Sequence, residues 1–201
     1  MGRKIKERTK VPLLVICTEG NKRSSEIAYF NNFKNRNLRI EYVDGEETDP
    51  EGMLNNTLKF LEKIDAKYED ELHVFLVLDT DCNMDRIKKI KLLEEKCQKS
   101  KIEIITSSPT FEIWFLMHTR SNNLNFTSSS EVKKETKKVF SNYKEGVDIY
   151  KEIKDKTSIA IINAKRFEKE SIYENIYEKN PHSKIYKVIE TIEDIRERYT
   201  I

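Results

Sequence analysis

The sequence predicts an α/β protein built on a parallel sheet with helices on both faces. Two continuous apolar runs, at residues 13–17 and 72–78, have the length and character of strands that are buried on both faces. Segments with helical spacing alternate with these and with two shorter apolar runs. Because alternating strands and helices imply right-handed crossover connections, we expect four parallel strands in the order 2-1-3-4.

The predicted elements follow from short apolar runs and from apolar residues spaced three and four apart. The strands are expected at about residues 11–17, 38–43, 72–78 and 102–105. The helices between them are expected at about residues 24–34, 49–68 and 84–100. A further helix, with the sequence TFEIWFLMHT, follows the fourth strand.

Capping residues mark the helix starts. Ser24 or Ser25 is suited to cap the first helix, and Asp49 with Pro50 is a favoured start for the second. The run Ser107-Ser108-Pro109 is interpreted as the cap and first helical position of the helix that follows the fourth strand.

The chain divides into three predicted parts. Ser128 and Glu131 have capping-box spacing after a polar connector, and Asn180-Pro181 is expected to start the final helix. We expect the last part to pack on the sheet domain as a helical lobe rather than to fold alone. The parts are a basic N-terminal arm at residues 1–10, an α/β domain at residues 11–120 and a helical C-terminal lobe at residues 121–201.

Composition excludes little about the partner of this protein. The chain has 201 residues and a net charge of only +2, which neither demands nor forbids a polyanionic partner. Three cysteines without metal-like spacing favour free thiols in a reducing compartment. No signal peptide and no membrane-spanning segment is evident, so we expect a cytoplasmic protein that makes no contact with a membrane.

Acidic residues follow two of the strands that the predicted order places side by side. Glu19 follows the first strand, and Asp79 and Asp81 follow the third, so all three are expected in one crevice. In extended backbone, residues i and i+2 point the same way, which would let both aspartates bind one Mg²⁺. Glu19 is either a further metal ligand or a general acid or base. The alternative is an acidic turn that caps the next helix.

Three further residues lie near the same predicted edge of the sheet. Lys22 and Arg23 stand before a helix start, where they would contact a phosphate or simply belong to a solvated loop. Glu112 falls in the first turn of the helix after the fourth strand. It is either a further site carboxylate or an acid that suits the helix dipole.

The three histidines have different predicted roles. His118 shares a helix face with aromatic residues that we interpret as core, and it is either a core residue or a site residue for phosphate contact or proton transfer. His73, inside a strand, is expected to be structural, and His182 is expected on the surface. The aromatic residues of that face are Phe111, Trp114 and Phe115.

Three motifs resemble a known family. The stretches ICTEGNKRSSEIAYFNNF, VFLVLDTD and SSPTFEIWFLMH resemble RloB-like proteins, and the strand-Glu-Gly and strand-DxD arrangement resembles the wider group of Toprim domains. The tail segments NYKEGVDIY and NPHSKIYKVIETI also resemble the later part of RloB-like proteins. The resemblance implies a Toprim-like sheet domain followed by a helical lobe.

The resemblance carries over residue by residue. Glu19 falls on the Toprim glutamate, Asp79 and Asp81 on its metal-binding DxD, and Glu112 and His118 on the FE…H positions of RloB-like proteins. The sequence departs from the family pattern where Thr18 replaces a common cysteine and Ser25-Glu26 replaces Thr-Glu, which leaves the role of Glu26 open.

The resemblance also implies a function. RloB-like and Toprim proteins suggest a nuclease that depends on Mg²⁺, with Mn²⁺ as a substitute, and that cleaves RNA, including tRNA, or DNA in bacterial antiphage defence. An ATPase from the same defence locus is the implied protein partner. Two alternatives remain open: a haloacid-dehalogenase-like phosphatase with Asp79 as the phosphorylated nucleophile, and a non-catalytic module that binds nucleic acid or docks on an ATPase.

Overall fold

A five-stranded sheet forms the centre of the computed structural model, which describes residues 11–19, 24–43, 47–120, 124–170 and 175–199. The order of the strands is β2-β1-β3-β4-β5; the first four are parallel, and β5 is antiparallel to β4. The predicted α/β class and the order 2-1-3-4 are therefore confirmed. The strands are β1 Leu13–Cys17, β2 Arg39–Val43, β3 Leu72–Asp79, β4 Ile102–Ser108 and β5 His182–Ser183.

Eight α-helices are present in the described part of the chain. Short 3-10 turns follow or connect several of them, including one that extends the first helix to Phe33. The helices are α1 Ser25–Phe30, α2 Pro50–Lys63, α3 Met84–Lys99, α4 Glu112–Met117, α5 Ser129–Val139, α6 Tyr150–Ile153, α7 Thr157–Glu170 and α8 Ile185–Tyr199. Within the described ranges, no helix combines the length and apolar character that crossing a membrane requires.

Alternating residues of the buried strands supply two separate cores. In β1, Leu14 and Ile16 face one side of the sheet, where they pack with α1, α4 and α8. Leu13 and Val15 face the other side, where they pack with α2 and α3. Each of these side chains is fully buried, and such burial contributes roughly 1.5–3 kcal/mol per residue. The result is a three-layer arrangement with the sheet in the middle.

The predicted helix starts at Ser24 and Asp49 are confirmed. The Ser24 hydroxyl accepts a hydrogen bond from the Ile27 N–H at 3.3 Å. The Asp49 carboxylate accepts one from the Glu51 N–H at 3.2 Å, and Pro50 occupies the first helical position. Both caps satisfy backbone donors that have no partner within the helix.

The predicted helix start at Pro109 is wrong. β4 continues to Ser108, the Ser108–Pro109 peptide bond is cis, and α4 begins only at Glu112. The backbone stays extended because Ser107 and Ser108 pair with β5 on one side, while the Ser107 carbonyl accepts the Thr80 N–H at 2.9 Å on the other. These partners are distant in sequence, so local capping signals could not reveal them.

The predicted role of Asn180-Pro181 as a helix start and the surface position of His182 are also wrong. Residues 182–183 form β5, and α8 begins at Ile185. His182 is buried, and burial lowers its pKa to about 4, so the ring is neutral at pH 7. Its Nδ1–H donates to the Lys179 carbonyl at 2.5 Å, and its Nε2 accepts from the Thr106 hydroxyl at 2.8 Å.

The C-terminal part shares a core with the sheet. The apolar face of α8, including Ile192, belongs to the same cluster as Leu14 of β1 and Trp114 of α4. Together with β5, α8 extends the architecture of residues 11–120 instead of forming a separate core.

This shared core leads to a stability prediction. Ile192→Ala removes a fully buried side chain from α8, so we expect the free energy of unfolding to fall by about 2–5 kcal/mol. Ile162→Ala is the matched control because Ile162 is 66% exposed on α7, and we expect a change within about 0.5 kcal/mol. Urea unfolding followed by circular dichroism measures both. Equal effects of the two substitutions would contradict the shared core.

Candidate active site

A small acidic cleft of about 250 Å³ lies at the carboxyl ends of β1, β3 and β4. Parallel sheets commonly bind ligands at this edge, where neighbouring strands deliver their following loops. Residues from α1 and α5 complete the walls. Among the described residues, the lining comprises six carboxylates (Glu19, Glu26, Asp79, Asp81, Glu112 and Glu145), one lysine (Lys133), and Ser24, Thr48, Thr110 and Ser129.

Glu19 joins the ends of β1 and β3. Its Oε1 accepts a hydrogen bond from the Asp79 N–H at 2.7 Å and a second from Nη2 of Arg86, with which it forms an ion pair. Burial raises the pKa of Glu19, although Arg86 and the Asp79 N–H act in the opposite direction. The sequence prediction that Glu19 and Asp79 meet in one crevice therefore agrees with the observed strand order.

A threonine hydroxyl links two of the carboxyl groups. Thr110 Oγ1 lies 2.7 Å from Asp79 Oδ2 and 2.9 Å from Glu112 Oε2. The Thr110 hydroxyl has one hydrogen, so it donates to only one of the two carboxyl groups at a time. A proton on the other carboxyl group would let that group donate a hydrogen bond to Thr110 Oγ1. The pKa of Asp79 is raised well above its ordinary value, first by burial and then by the charges of Glu26, Glu19 and Glu112. A proton on Asp79 is consistent with this geometry.

Glu112 is a buried carboxylate supported by hydroxyl groups. Its Oε1 accepts from Ser25 Oγ at 2.9 Å and from the Tyr143 hydroxyl at 2.6 Å. It is only 2% exposed, so these donors replace much of its lost hydration. Of the two predicted alternatives for Glu112, its position in the cleft favours a site carboxylate.

Asp81 does not point the same way as Asp79. β3 ends at Asp79, and Asp81 has a φ of 52°, so the extended backbone that would align residues i and i+2 stops before Asp81. The Asp81 carboxylate instead turns towards α5 and accepts a hydrogen bond from Ser129 Oγ at 2.6 Å. The carboxylates whose charges raise the pKa of Asp79 are Glu26, Glu19 and Glu112.

His118 lies in the core and does not line the cleft. It is 1% exposed, its ring packs edge-to-face with Trp114 at 4.9 Å, and its Nδ1–H donates to the Trp114 carbonyl at 2.8 Å. Burial lowers its pKa to about 4. Of the two predicted alternatives for His118, the structure favours the core residue, and Phe111, Trp114 and Phe115 are buried as expected.

Lys22 and Arg23 lie outside the described residues, so their predicted phosphate contacts stay predictions.

Sequence reasoning missed Arg86, Thr110 and Lys133. Arg86 and Lys133 lie near the N-terminal ends of charged helices, where nothing distinguishes them from neighbouring lysines and arginines. Predicting Thr110 would have required knowledge that α4 begins only at Glu112, which leaves Thr110 outside the helix.

Glu26 has a clear place in the structure, although its role was open in the sequence. It lies in the first turn of α1 and lines the cleft at 9% exposure. Burial raises its pKa to about 7, and the charges of Glu112 and Glu19 act in the same direction. The sequence contained a signal for Glu26, because the cap at Ser24 places the first turn of α1 at the same edge of the sheet as Glu19.

The comparison with known families identifies the chain. The model of the family described as RloB-like protein matches residues 14–192. The chain belongs to the RloB-like protein family. In this RloB-like chain the match extends from β1 into α8 and includes every residue of the cleft. No curated protein and no solved structure gives a significant match.

The donor chemistry of the RloB-like cleft suits a hard divalent cation, because its ligand atoms are carboxylate and hydroxyl oxygens. The side-chain arrangement does not present a ready set of ligands: in the part of the chain that the structure describes, no three His, Cys, Asp or Glu side chains are grouped to hold a metal ion. Arg86 engages Glu19, and Ser129 engages Asp81. The lining residues therefore have the type of ligand atom that a divalent cation requires, but their side chains would have to rotate to coordinate one.

The raised pKa of Glu26 predicts a pH-dependent stability effect. The pKa is about 7 in the folded protein against 4.5 as its ordinary value. Between these values the folded state binds more protons than the unfolded state, so the free energy of unfolding falls as pH rises. Glu26→Gln removes this loss. We expect the variant to be more stable than wild type at pH 8, by on the order of 1–3 kcal/mol, and similar at pH 4.

Thermal and urea unfolding at both pH values measure this difference. Glu41→Gln is the matched control because Glu41 is exposed on β2, and we expect no pH-dependent difference from wild type. A stability difference for Glu26→Gln that is the same at pH 4 and pH 8 would contradict the raised pKa.

Proposed function

We propose that this RloB-like protein is a nuclease that depends on Mg²⁺, with Mn²⁺ as a substitute, and that hydrolyses phosphodiester bonds in RNA or DNA. The observation that supports this most directly is the contact between Glu19 and the Asp79 N–H at the ends of two adjacent parallel strands. Glu26 and Glu112 surround the same point with further negative charge. Such a concentration of carboxylates is costly without a cation, which favours a metal-dependent reaction.

In the proposed site, Asp79 and Glu19 would hold the ion, and Asp81 would join them after turning away from Ser129. When bound, Mg²⁺ would act as a Lewis acid that polarises the scissile phosphate and stabilises developing charge. Glu112 would serve as a fixed carboxylate that orients Thr110, since the hydroxyl groups of Ser25 and Tyr143 hold it in place.

Glu26 is our candidate for proton transfer. Its pKa of about 7 lets its carboxyl group take up or release a proton near neutral pH. Lys133 would donate N–H hydrogen bonds to a substrate phosphate, since it lines the cleft from α5 and is held by Glu145 at 2.9 Å. The buried position of His118 argues against the same roles for that residue.

The substrate class and biological setting are proposed from the family resemblance. RNA, including tRNA, is the first substrate to test, followed by DNA. A role in antiphage defence, with an ATPase as partner, is proposed on the same basis.

A second candidate is a non-catalytic module that binds nucleic acid or docks on an ATPase. The ion pair between Arg86 and Glu19 favours it, because the guanidinium already supplies a positive charge at the predicted glutamate. Substrate cleavage and substrate binding must therefore be measured separately.

Cleavage by active-site variants tests the proposal. Asp79→Asn and Glu19→Gln should each lower the rate of Mg²⁺-dependent cleavage of labelled RNA or DNA by about 100-fold or more, since each removes a carboxylate from the proposed metal site. Asp85→Asn is the matched control, because Asp85 is 88% exposed in the first turn of α3 and does not line the cleft. We expect it to cleave like wild type.

Each assay is repeated with EDTA. Proteins that show no cleavage alone are also tested together with co-purifying partner proteins. Wild-type cleavage rates in both site variants would overturn the assignment to this cleft. Tight binding of nucleic acid by wild type without cleavage under any of these conditions would favour the non-catalytic module.

A further inference from the structure

Arg86 connects three segments that border the cleft. Its Nε donates to the Asp79 carbonyl at 2.6 Å, its Nη1 donates to the Thr48 carbonyl at 3.0 Å, and its Nη2 donates to the Glu19 carboxylate. The side chain is only 15% exposed. One guanidinium therefore joins the end of β1, the end of β3 and the loop that precedes α2.

The contact with Glu19 bears on cation binding. Glu19 Oε1 accepts two hydrogen bonds, from the Asp79 N–H and from Arg86. An oxygen occupied in this way has little capacity left to coordinate a cation directly. The positive charge of Arg86 also lowers the negative potential that would attract a divalent ion, and its Nε lies 3.9 Å from Asp81 Oδ2 as well.

Lys133, a second positively charged side chain near the cleft, lies on a different wall. Lys133 approaches from α5 and pairs with Glu145, whereas Arg86 approaches from α3 and pairs with Glu19. Of these two described side chains, Arg86 is the one whose contacts coincide with the proposed metal ligands.

We propose that Arg86 is a positioning residue whose guanidinium competes with a divalent cation for the Glu19 carboxylate and thereby sets the affinity of the cleft for metal. The inference rests on the metal site of the proposed function and adds a residue that controls its occupancy. Coordination of a metal through Glu19 Oε1 requires the Nη2 hydrogen bond to break, and coordination through Oε2 places the metal against the charge of Arg86. The bonds to the Asp79 and Thr48 carbonyls keep the guanidinium near the cleft.

Mn²⁺ binding to the full-length protein tests this competition without reference to cleavage. Electron paramagnetic resonance of free Mn²⁺ gives the dissociation constant for wild type, Arg86→Gln and Arg86→Lys. We expect Arg86→Gln to bind Mn²⁺ about fivefold or more tightly than wild type, since a competing charge is removed. Arg86→Lys, which keeps the charge, should remain closer to wild type than Arg86→Gln.

Lys89→Gln is the matched control for loss of one positive charge. Lys89 lies one turn further along α3, pairs with Asp49 and does not line the cleft, so we expect its Mn²⁺ affinity to stay near that of wild type. Circular dichroism verifies that each variant is folded. Unchanged or weaker Mn²⁺ binding by folded Arg86→Gln, or absence of Mn²⁺ binding in wild type and variants, would overturn the inference.

A measurement on wild type covers the case in which Arg86→Gln does not fold. The Nε–H resonance of Arg86, assigned by its loss in Arg86→Lys, should shift during a Mg²⁺ titration with the same midpoint as metal binding. A resonance unchanged at saturating Mg²⁺ would overturn the inference. If Mn²⁺ binding tightens in Arg86→Gln but no nucleic acid is cleaved, the competition stands and the nuclease proposal fails. If nucleic acid is cleaved but Mn²⁺ binding does not tighten in Arg86→Gln, the nuclease proposal stands and the competition fails.

Discussion

The hydrogen bond from the Asp79 N–H to the Glu19 carboxylate depends on the register between β1 and β3. Cys17 of β1 is paired with Leu76 of β3, so the chain after β1 meets the last residues of β3. This register is fixed because alternate residues of both strands enter two different cores. A slip by one residue would turn each apolar set to the wrong face. The hydrophobic pattern thus places the two acids together without itself containing any charged residue.

The carboxylates at this point oppose folding, and neighbouring groups offset part of that cost. Hydroxyl donors from Ser25, Thr110 and Tyr143 support Glu112, and Arg86 neutralises Glu19. A neutral hydrogen bond contributes only about 0.5–1.5 kcal/mol net, so such donors compensate incompletely for the burial of charge. The raised pKa values of Asp79 and Glu26 are the consequence. Sites that bind ligands commonly retain unfavourable interactions of this kind.

The C-terminal part of the chain contributes to the cleft as well as to the core. Ser129 and Lys133 of α5, together with Tyr143 and Glu145 beyond it, reach the cleft or its carboxylates. These residues come after the polar connector that separates the predicted sheet domain from the predicted lobe. The cleft therefore needs both parts of the chain.

Much of the site could be predicted because strand order places Glu19 and Asp79 together whenever strands 1 and 3 are neighbours. Asp81 shows where that reasoning stops, because the rule for residues i and i+2 applies only while the backbone is extended. His118 and Glu112 show a second limit. Both have helical positions that suit either core or site, and only packing against Trp114 or the hydroxyl groups distinguishes them.

The sequence by itself determined the α/β class, the order of four strands, the caps at Ser24 and Asp49, and the acids at two strand ends. These features depend on local periodicity and on rules of chain connection, which a linear pattern contains. Only the tertiary structure decided the pairing of β5 with β4, the burial of His182, and the contact of Arg86 with Glu19. Each of these joins residues more than 60 positions apart, and no local pattern encodes such a pairing.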